Sequence, residues 1–406
     1  MGTSISKAFR QYFWRPPRAH GEVIEDRSVS YLELFYDLVY VVVIARAAHH
    51  LAEHVSWSGA LDFALVFSLI WIAWLNGTLY QDLHGRDDGR SRTFIFLQML
   101  VLAVLAVFTD DATGADGPAW AITYSVFLAV VTWLWYVVRR QDDPIWHRIT
   151  SRYLAGMIIS IVVMVASAFA AEGVRLAMWG ALVLGWIVTI MVINLITDED
   201  TRLVATDSTI ERFGLFTIIV LGEVVVGVVE GISDSDRTAL SVTTGMLGLL
   251  VGFAFWWTYF DFVGSRRPRT DRVTALPAWM LGHLPVTMGI AAAGAAMVSL
   301  VEHAGDSRTP QPTAWLITGS VAVGLVGLVI AANALADAQR LAAVYGPLTA
   351  SLAVGAGAAV AVGTLRPRPW LLALALFTIL SAVWWIAIMR WIRLSDADEH
   401  VPGTAA

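Results

Sequence analysis

The segment YLELFYDLVYVVVIARAAHH, residues 31–50, places Glu33, Asp37, Arg46 and a His49-His50 pair inside an otherwise apolar run. Only eight uncharged residues separate Asp37 from Arg46. A second apolar run, Phe213 to Val229, is interrupted by Glu223 and preceded by Glu211. Carboxyl groups shielded from water can bind a cation or take up and release a proton, the chemistry of ion paths, relays and transport sites. An ionised side chain near the centre of a bilayer costs about 2.5 to 3.5 kcal/mol on insertion scales, so these groups have to be paired, protonated or wetted. Glu33 and Asp37 share a helix face at i and i+4, and Arg46 shares one with His49 and His50. The spacing from Asp37 to Arg46 puts those two on opposite faces. Arg46 is thus expected to find its partner on another helix, with Glu223 as a candidate.

Three further places carry titratable groups. His283 stands in an uncharged run immediately before Leu284-Pro285, where a proline can free a backbone carbonyl and break a helix. Asp261 follows Trp257 and Tyr259 at the end of another apolar run. His50-Leu-Ala-Glu53-His54 matches the H-x-x-E-H pattern, which on a helix sets two histidines one turn apart so that zinc can be held with Glu53 as base. No third ligand follows, so zinc is the one cofactor the sequence admits, and only weakly. Gly248-x-x-x-Gly252 and Gly355-Ala356-Gly357 read as close helix packing.

The elements that must position these residues are membrane helices. Of 406 residues, 57% are hydrophobic and 15% charged, well below the quarter usual in soluble domains. The expected fold is an all-α polytopic bundle of about twelve spans, beginning near Tyr31, Ala60, Thr93, Pro118, Arg152, Val174, Thr209, Thr238, Ala275, Pro312, Ala343 and Pro369. Segment 1–30 is a basic, aromatic arm whose stretch ISKAFRQYFW suits a lipid-surface helix or a disordered tail. Residues 31–200 and 201–394 form two six-helix halves, and 395–406 a tail. Twenty-one Lys and Arg, Arg212 among them, fall on one side and five on the other, which predicts cytoplasmic termini. The absence of Cys excludes disulfides and thiolate chemistry, and nothing in the charge pattern implies nucleic acid.

Glu33-x-Phe35 and Glu211-x-Phe213 open spans one and seven, and Trp74, Tyr80, Asp82 and Trp257, Tyr259, Asp261 close spans two and eight, as in a parallel repeat. The stretches Glu33-Leu-Phe-Tyr-Asp37-Leu-Val-Tyr-Val, Glu211-Arg-Phe-Gly-Leu-Phe-Thr-Ile-Ile-Val-Leu-Gly-Glu223, Trp74-Leu-Asn-Gly-Thr-Leu-Tyr80 and His283-Leu-Pro285 resemble the bacterial low temperature requirement A family along the whole chain. Leu83-His84-Gly85-Arg86-Asp87-Asp88 and Val224 depart from its pattern. The resemblance implies a multi-span protein of the bacterial inner membrane and supplies no catalytic residues. Phe35-Tyr36-Asp37 is also similar to the Phe-Ser-Asp motif of lysosomal potassium and proton channels with six-span repeats.

The expected function is a proton- or cation-coupled transporter rather than an enzyme. Asp37 and Glu223 are its buried carboxylates, Glu33 and Glu211 lie at the cytoplasmic mouth, and Arg46 is the internal counter-charge. A proton or cation channel, or a structural protein of stress adaptation with buried ion pairs, shares the same residues. The expected partners are the lipid bilayer, a proton, cation or small solute, and a second copy in a homo-oligomer.

Overall fold

The structure, a computed structural model, describes residues 13–22, 29–199 and 202–399. Most of ISKAFRQYFW therefore lies outside the described residues. Twelve long helices follow one another: α1 Tyr31–Glu53, α2 Trp57–His84, α3 Gly89–Val107, α4 Gly117–Gln141, α5 His147–Ser167, α6 Glu172–Ile193, α7 Asp207–Asp234, α8 Ala239–Tyr259, α9 Ala275–Glu302, α10 Gln311–Asn333, α11 Ala342–Leu365 and α12 Pro369–Glu399. Each begins within five residues of its expected start, the largest offset being His147 against Arg152. The fold is an all-α multi-pass membrane bundle. Eleven of the helices are long and apolar enough to cross a bilayer. The charged α1 is not one of these eleven, although its 23 residues reach about 34 Å at 1.5 Å per residue.

The helix ends follow local chemistry. Asp88 caps α3 by accepting from the Ser91 N–H at 2.8 Å, and Thr238 caps α8 by accepting from the Ser241 N–H at 3.1 Å. Ser30 and Glu33 form a reciprocal box at the start of α1: the Ser30 N–H donates to Glu33 Oε2 at 2.9 Å and the Glu33 N–H to Ser30 Oγ at 3.3 Å. The start of α7 is held by Asp82 at the end of α2, whose carboxylate accepts from the hydroxyls of Thr206, Ser208 and Thr209. A negative charge there also complements the positive end of the helix dipole.

The chain forms two compact units, Met1–Glu53 with Leu61–Ile219 and His54–Ala60 with Val220–Ala406, so the division falls inside α7. In the first unit, buried tryptophans are clamped by hydroxyls, Trp120 to Thr109 at 3.1 Å, Trp179 to Ser167 at 2.8 Å and Trp186 to Ser160 at 3.0 Å. These bonds satisfy indole N–H groups that hydrocarbon could not. Residues 15–22 are anchored to the same unit. The buried Arg18 donates to the carbonyls of Asp82 and Gly85, and His20 pairs with Asp142 while its ring stacks on Trp146 at 4.6 Å.

The second unit is built around α9, buried along most of its length. Its Gly282, Gly289 and Gly294 bring backbones into contact. A Cβ on Gly289 would lie 2.5 Å from the Ser320 carbonyl oxygen, and one on Gly294 would lie 2.6 Å from that of Glu223. Lipid supplies no hydrophobic drive between helices, so such close approach maximises dispersion contact. The helix also runs unbroken through Pro285. This departs from the broken helix expected there: Pro285 leaves the Leu281 carbonyl without its helical donor, but α9 is packed on nearly all sides and is held through that point.

Candidate functional site

A buried ion pair joins α1 to α7. Asp37 and Arg212 have side chains 0% and 1% exposed, and Arg212 Nη2 donates to Asp37 Oδ1 at 3.0 Å. Trp74 Nε1 from α2 donates to the same oxygen at 2.9 Å. The other carboxylate oxygen, Asp37 Oδ2, and Arg212 Nε and Nη1 are buried with no hydrogen-bond partner among the described residues. The surroundings are aromatic. Trp74 stacks on Phe216 at 4.2 Å and meets Phe213 edge-on at 5.0 Å, and the guanidinium lies 6.0 Å from the centre of the Tyr36 ring. Tyr36 donates to Gln98 Oε1 at 3.0 Å and its hydroxyl lies 3.1 Å from that of Tyr40. Gly77 makes this approach possible, since a Cβ there would sit 2.3 Å from the Tyr36 hydroxyl.

This pairing corrects the role expected of two arginines. Arg212, counted in the sequence with the cytoplasmic bases, is the counter-charge of Asp37. Arg46, expected as an internal counter-charge with Glu223 as its candidate partner, pairs at 3.5 Å with Asp110, both side chains at least a third exposed. Asp110 thus takes the partner role for which the sequence offered Glu223. Arg212 was legible only as part of Glu211-Arg212-Phe213, because a base one turn inside a helix looks the same in sequence whether it snorkels outward or turns inward.

The other expected residues are placed as follows. Glu33 closes the cap of α1 and is 4% exposed. Glu211 is exposed and accepts from the Val29 N–H at 3.2 Å. Glu223 is 4% exposed, and no described residue hydrogen-bonds its carboxylate. His283 is buried, with Nδ1 2.7 Å from the Trp279 carbonyl oxygen and Nε2 3.0 Å from the Tyr259 hydroxyl. Asp261 lies in a π-helical turn, Phe260–Gly264, and accepts from Trp384 Nε1 at 2.6 Å. Such turns interrupt the helical bonding ladder and recur at functional positions.

The zinc pattern is not assembled. α1 ends at Glu53, leaving His54 in the following turn, and Glu53 lies 3.4 Å from His49. Among the described residues no group of three or more His, Asp or Glu is arranged to hold a metal ion. His50 instead lines, with Asp62 and Asp110, a chamber of about 10 Å³, room for about one water.

Comparison with known proteins places these residues in a family. Residues 28–388 match the family described as bacterial low temperature requirement A protein (LtrA). The chain is 24% identical over 284 residues, 66% of its own length and 68% of the relative's, to "Uncharacterized protein RA0937" of Rhizobium meliloti (strain 1021). No solved structure matches it. The matched segment takes in Asp37, Trp74, Arg212, Glu223 and His283, nearly the whole membrane bundle. The chain belongs to the bacterial low temperature requirement A (LtrA) family.

Proposed function

We propose that this protein is a transporter of the bacterial inner membrane, with both termini in the cytoplasm, that couples the movement of a proton or cation to that of a solute. The observation that carries the reading is the Asp37–Arg212 pair, two opposite charges buried between the first and seventh helices with three of their five side-chain nitrogen and oxygen atoms unused. A bridge kept only for stability gains most from bidentate geometry that satisfies both partners. A one-point bridge can instead be opened: a proton or cation on Asp37 Oδ2 weakens its hold on Arg212 and leaves the guanidinium to a new partner. Glu223, buried without a hydrogen-bond donor, supplies a second carboxylate that can change its charge without breaking a bridge. The two six-helix halves, the assignment of Glu211 to the cytoplasmic mouth and a homo-oligomeric state belong to the same proposal.

The test is proton flux into liposomes carrying a pH-sensitive dye under an imposed potential. Asp37→Asn and Glu223→Gln are each expected to lower flux at least about a hundredfold, the lower end of what positioned proton-transfer groups commonly contribute. The paired variant Asp37→Leu/Arg212→Met separates transport from architecture. Removing one partner of a buried pair costs about 3 to 5 kcal/mol, whereas replacing both with apolar residues is often neutral. A well-folded paired variant without flux supports the transporter. One that retains full flux would make the bridge a structural element alone.

A further inference from the structure

We propose a binding site for one anionic phospholipid of the cytoplasmic leaflet, in a groove between α8 and α12 of the second unit. Ala254 on α8 and Ser381 and Ala382 on α12 are too small to fill the space between the helices, and Trp257, Trp384 and Trp385 wall it in. The result is an open groove of about 410 Å³, inside the 300–1,000 Å³ range of small-molecule sites. Its walls are held in place rather than merely exposed. Trp384 Nε1 donates to Asp261 Oδ2 at 2.6 Å, and the Trp257 ring packs against that of Trp384 at 5.8 Å. Trp257 and Trp385 remain 45% and 59% exposed, so the groove faces the bilayer with aromatic surface on both sides.

The position of the groove along the helices selects the occupant. Trp257 lies at the end of α8, just before the π-helical turn and Arg266 and Arg267. On α12 the exposed Arg390 and Arg393 follow Trp385 by five and eight residues, about 7.5 and 12 Å at 1.5 Å per residue. The groove thus sits one to two helical turns inside the level of the basic residues, the depth of the upper acyl chain and glycerol when the phosphate lies level with the arginines. The groove offers few polar groups, and Thr378 Oγ1 is already spent on the Leu374 carbonyl at 2.7 Å. An apolar chain is what the walls accept, and a negative headgroup is what Arg390 and Arg393 attract. The occupant is therefore a phospholipid with a net negative headgroup rather than a zwitterionic one. The groove and its occupant do not depend on the transport reading; the leaflet alone rests on the orientation proposed with it.

Native mass spectrometry of the detergent-purified full chain, titrated with phosphatidylglycerol or with phosphatidylcholine, tests it. One phosphatidylglycerol is expected to bind roughly thirtyfold more tightly than phosphatidylcholine, as two nearby arginines would give. Ala382→Trp fills the groove and should abolish this first binding step. Arg390→Gln/Arg393→Gln leaves the groove open and should retain one lipid while losing the preference for the anionic one. Equal binding of both lipids, unchanged in the double arginine variant, would overturn the proposal. So would a dimer mass that disappears in Ala382→Trp, which would make the occupant a second copy of the chain.

Discussion

At the scale of single residues, position decides whether a charge is structural or available. Glu33 and Asp37 are four residues apart on the same helix face, yet one closes a helix cap and the other meets an arginine from α7. Arg18 likewise spends its guanidinium on the carbonyls at the end of α2, where helix-terminal oxygens have no helical partner. Beside it, burial holds the His20 imidazole below the ordinary histidine value of 6.5, the Asp142 carboxylate opposing the shift only in part. The folded chain therefore binds this proton less readily than the unfolded chain does. Its contribution is full above about pH 6.5 and is lost as pH falls through the lower folded value. The nearby His84 ring packs edge-on against His20 at 4.4 Å. Amide exchange of residues 15–22, corrected for its intrinsic pH dependence, should rise between pH 7.5 and 5.5 in the unmodified protein and change much less in His20→Gln. Protection that stays constant in the unmodified protein would exclude His20 as the cause.

At the scale of elements, the second unit depends on how closely α7 can approach α9. A Cβ on Gly227 would fall 2.0 Å from the Gly294 carbonyl oxygen, and one on Gly231 would fall 3.0 Å from that of Val298. These glycines lie one and two turns from Glu223 on α7, so the crossing that packs the helices also fixes where that carboxylate stands. Gly227→Ala cannot be relieved by a side-chain rotation, because the obstacle is backbone. It should cost about 1 to 3 kcal/mol, the usual range for overpacking, and lower the thermal midpoint measured in detergent. Gly222→Ala on the same helix meets nothing within 4 Å and should leave the midpoint unchanged. Equal melting of the two variants would mean that the crossing is looser than its geometry.

At the scale of the whole molecule, the proposed topology of twelve spans returns the chain to the side on which it began, and the basic loops choose which side that is. Arg86, Arg90 and Arg92 after α2 and Arg266, Arg267, Arg269 and Arg272 after α8 dominate that bias. Fusing a cytoplasm-dependent fluorescent reporter after residue 406 should give a signal, whereas the same reporter inserted in the 303–310 loop should give none. Fluorescence from the loop insertion would reverse the orientation and, with it, the leaflet assigned to the lipid groove.

The twelve helices and the membrane class were legible in the sequence because hydrophobic runs of span length have few other uses. Two expectations rested on single residues whose partners are remote in sequence, and there the tertiary structure decided. Pro285 suggests a broken helix, but packing around most of α9 keeps it continuous. Asp37 was visible as a buried acid at once, whereas its partner was not, because 175 residues separate it from Arg212 and no local spacing encodes that approach. The Ser30-x-x-Glu33 box is readable in the sequence, but a carboxylate at the edge of an apolar run points equally to a functional charge. Sequence alone determined that the charges in the apolar runs of this membrane protein had to be paired, protonated or wetted, since hydrocarbon offers them no partner. Only the tertiary structure decided which charges meet, since that depends on how α1, α2 and α7 pack, a matter of side-chain volumes and a glycine at 77 rather than of local periodicity.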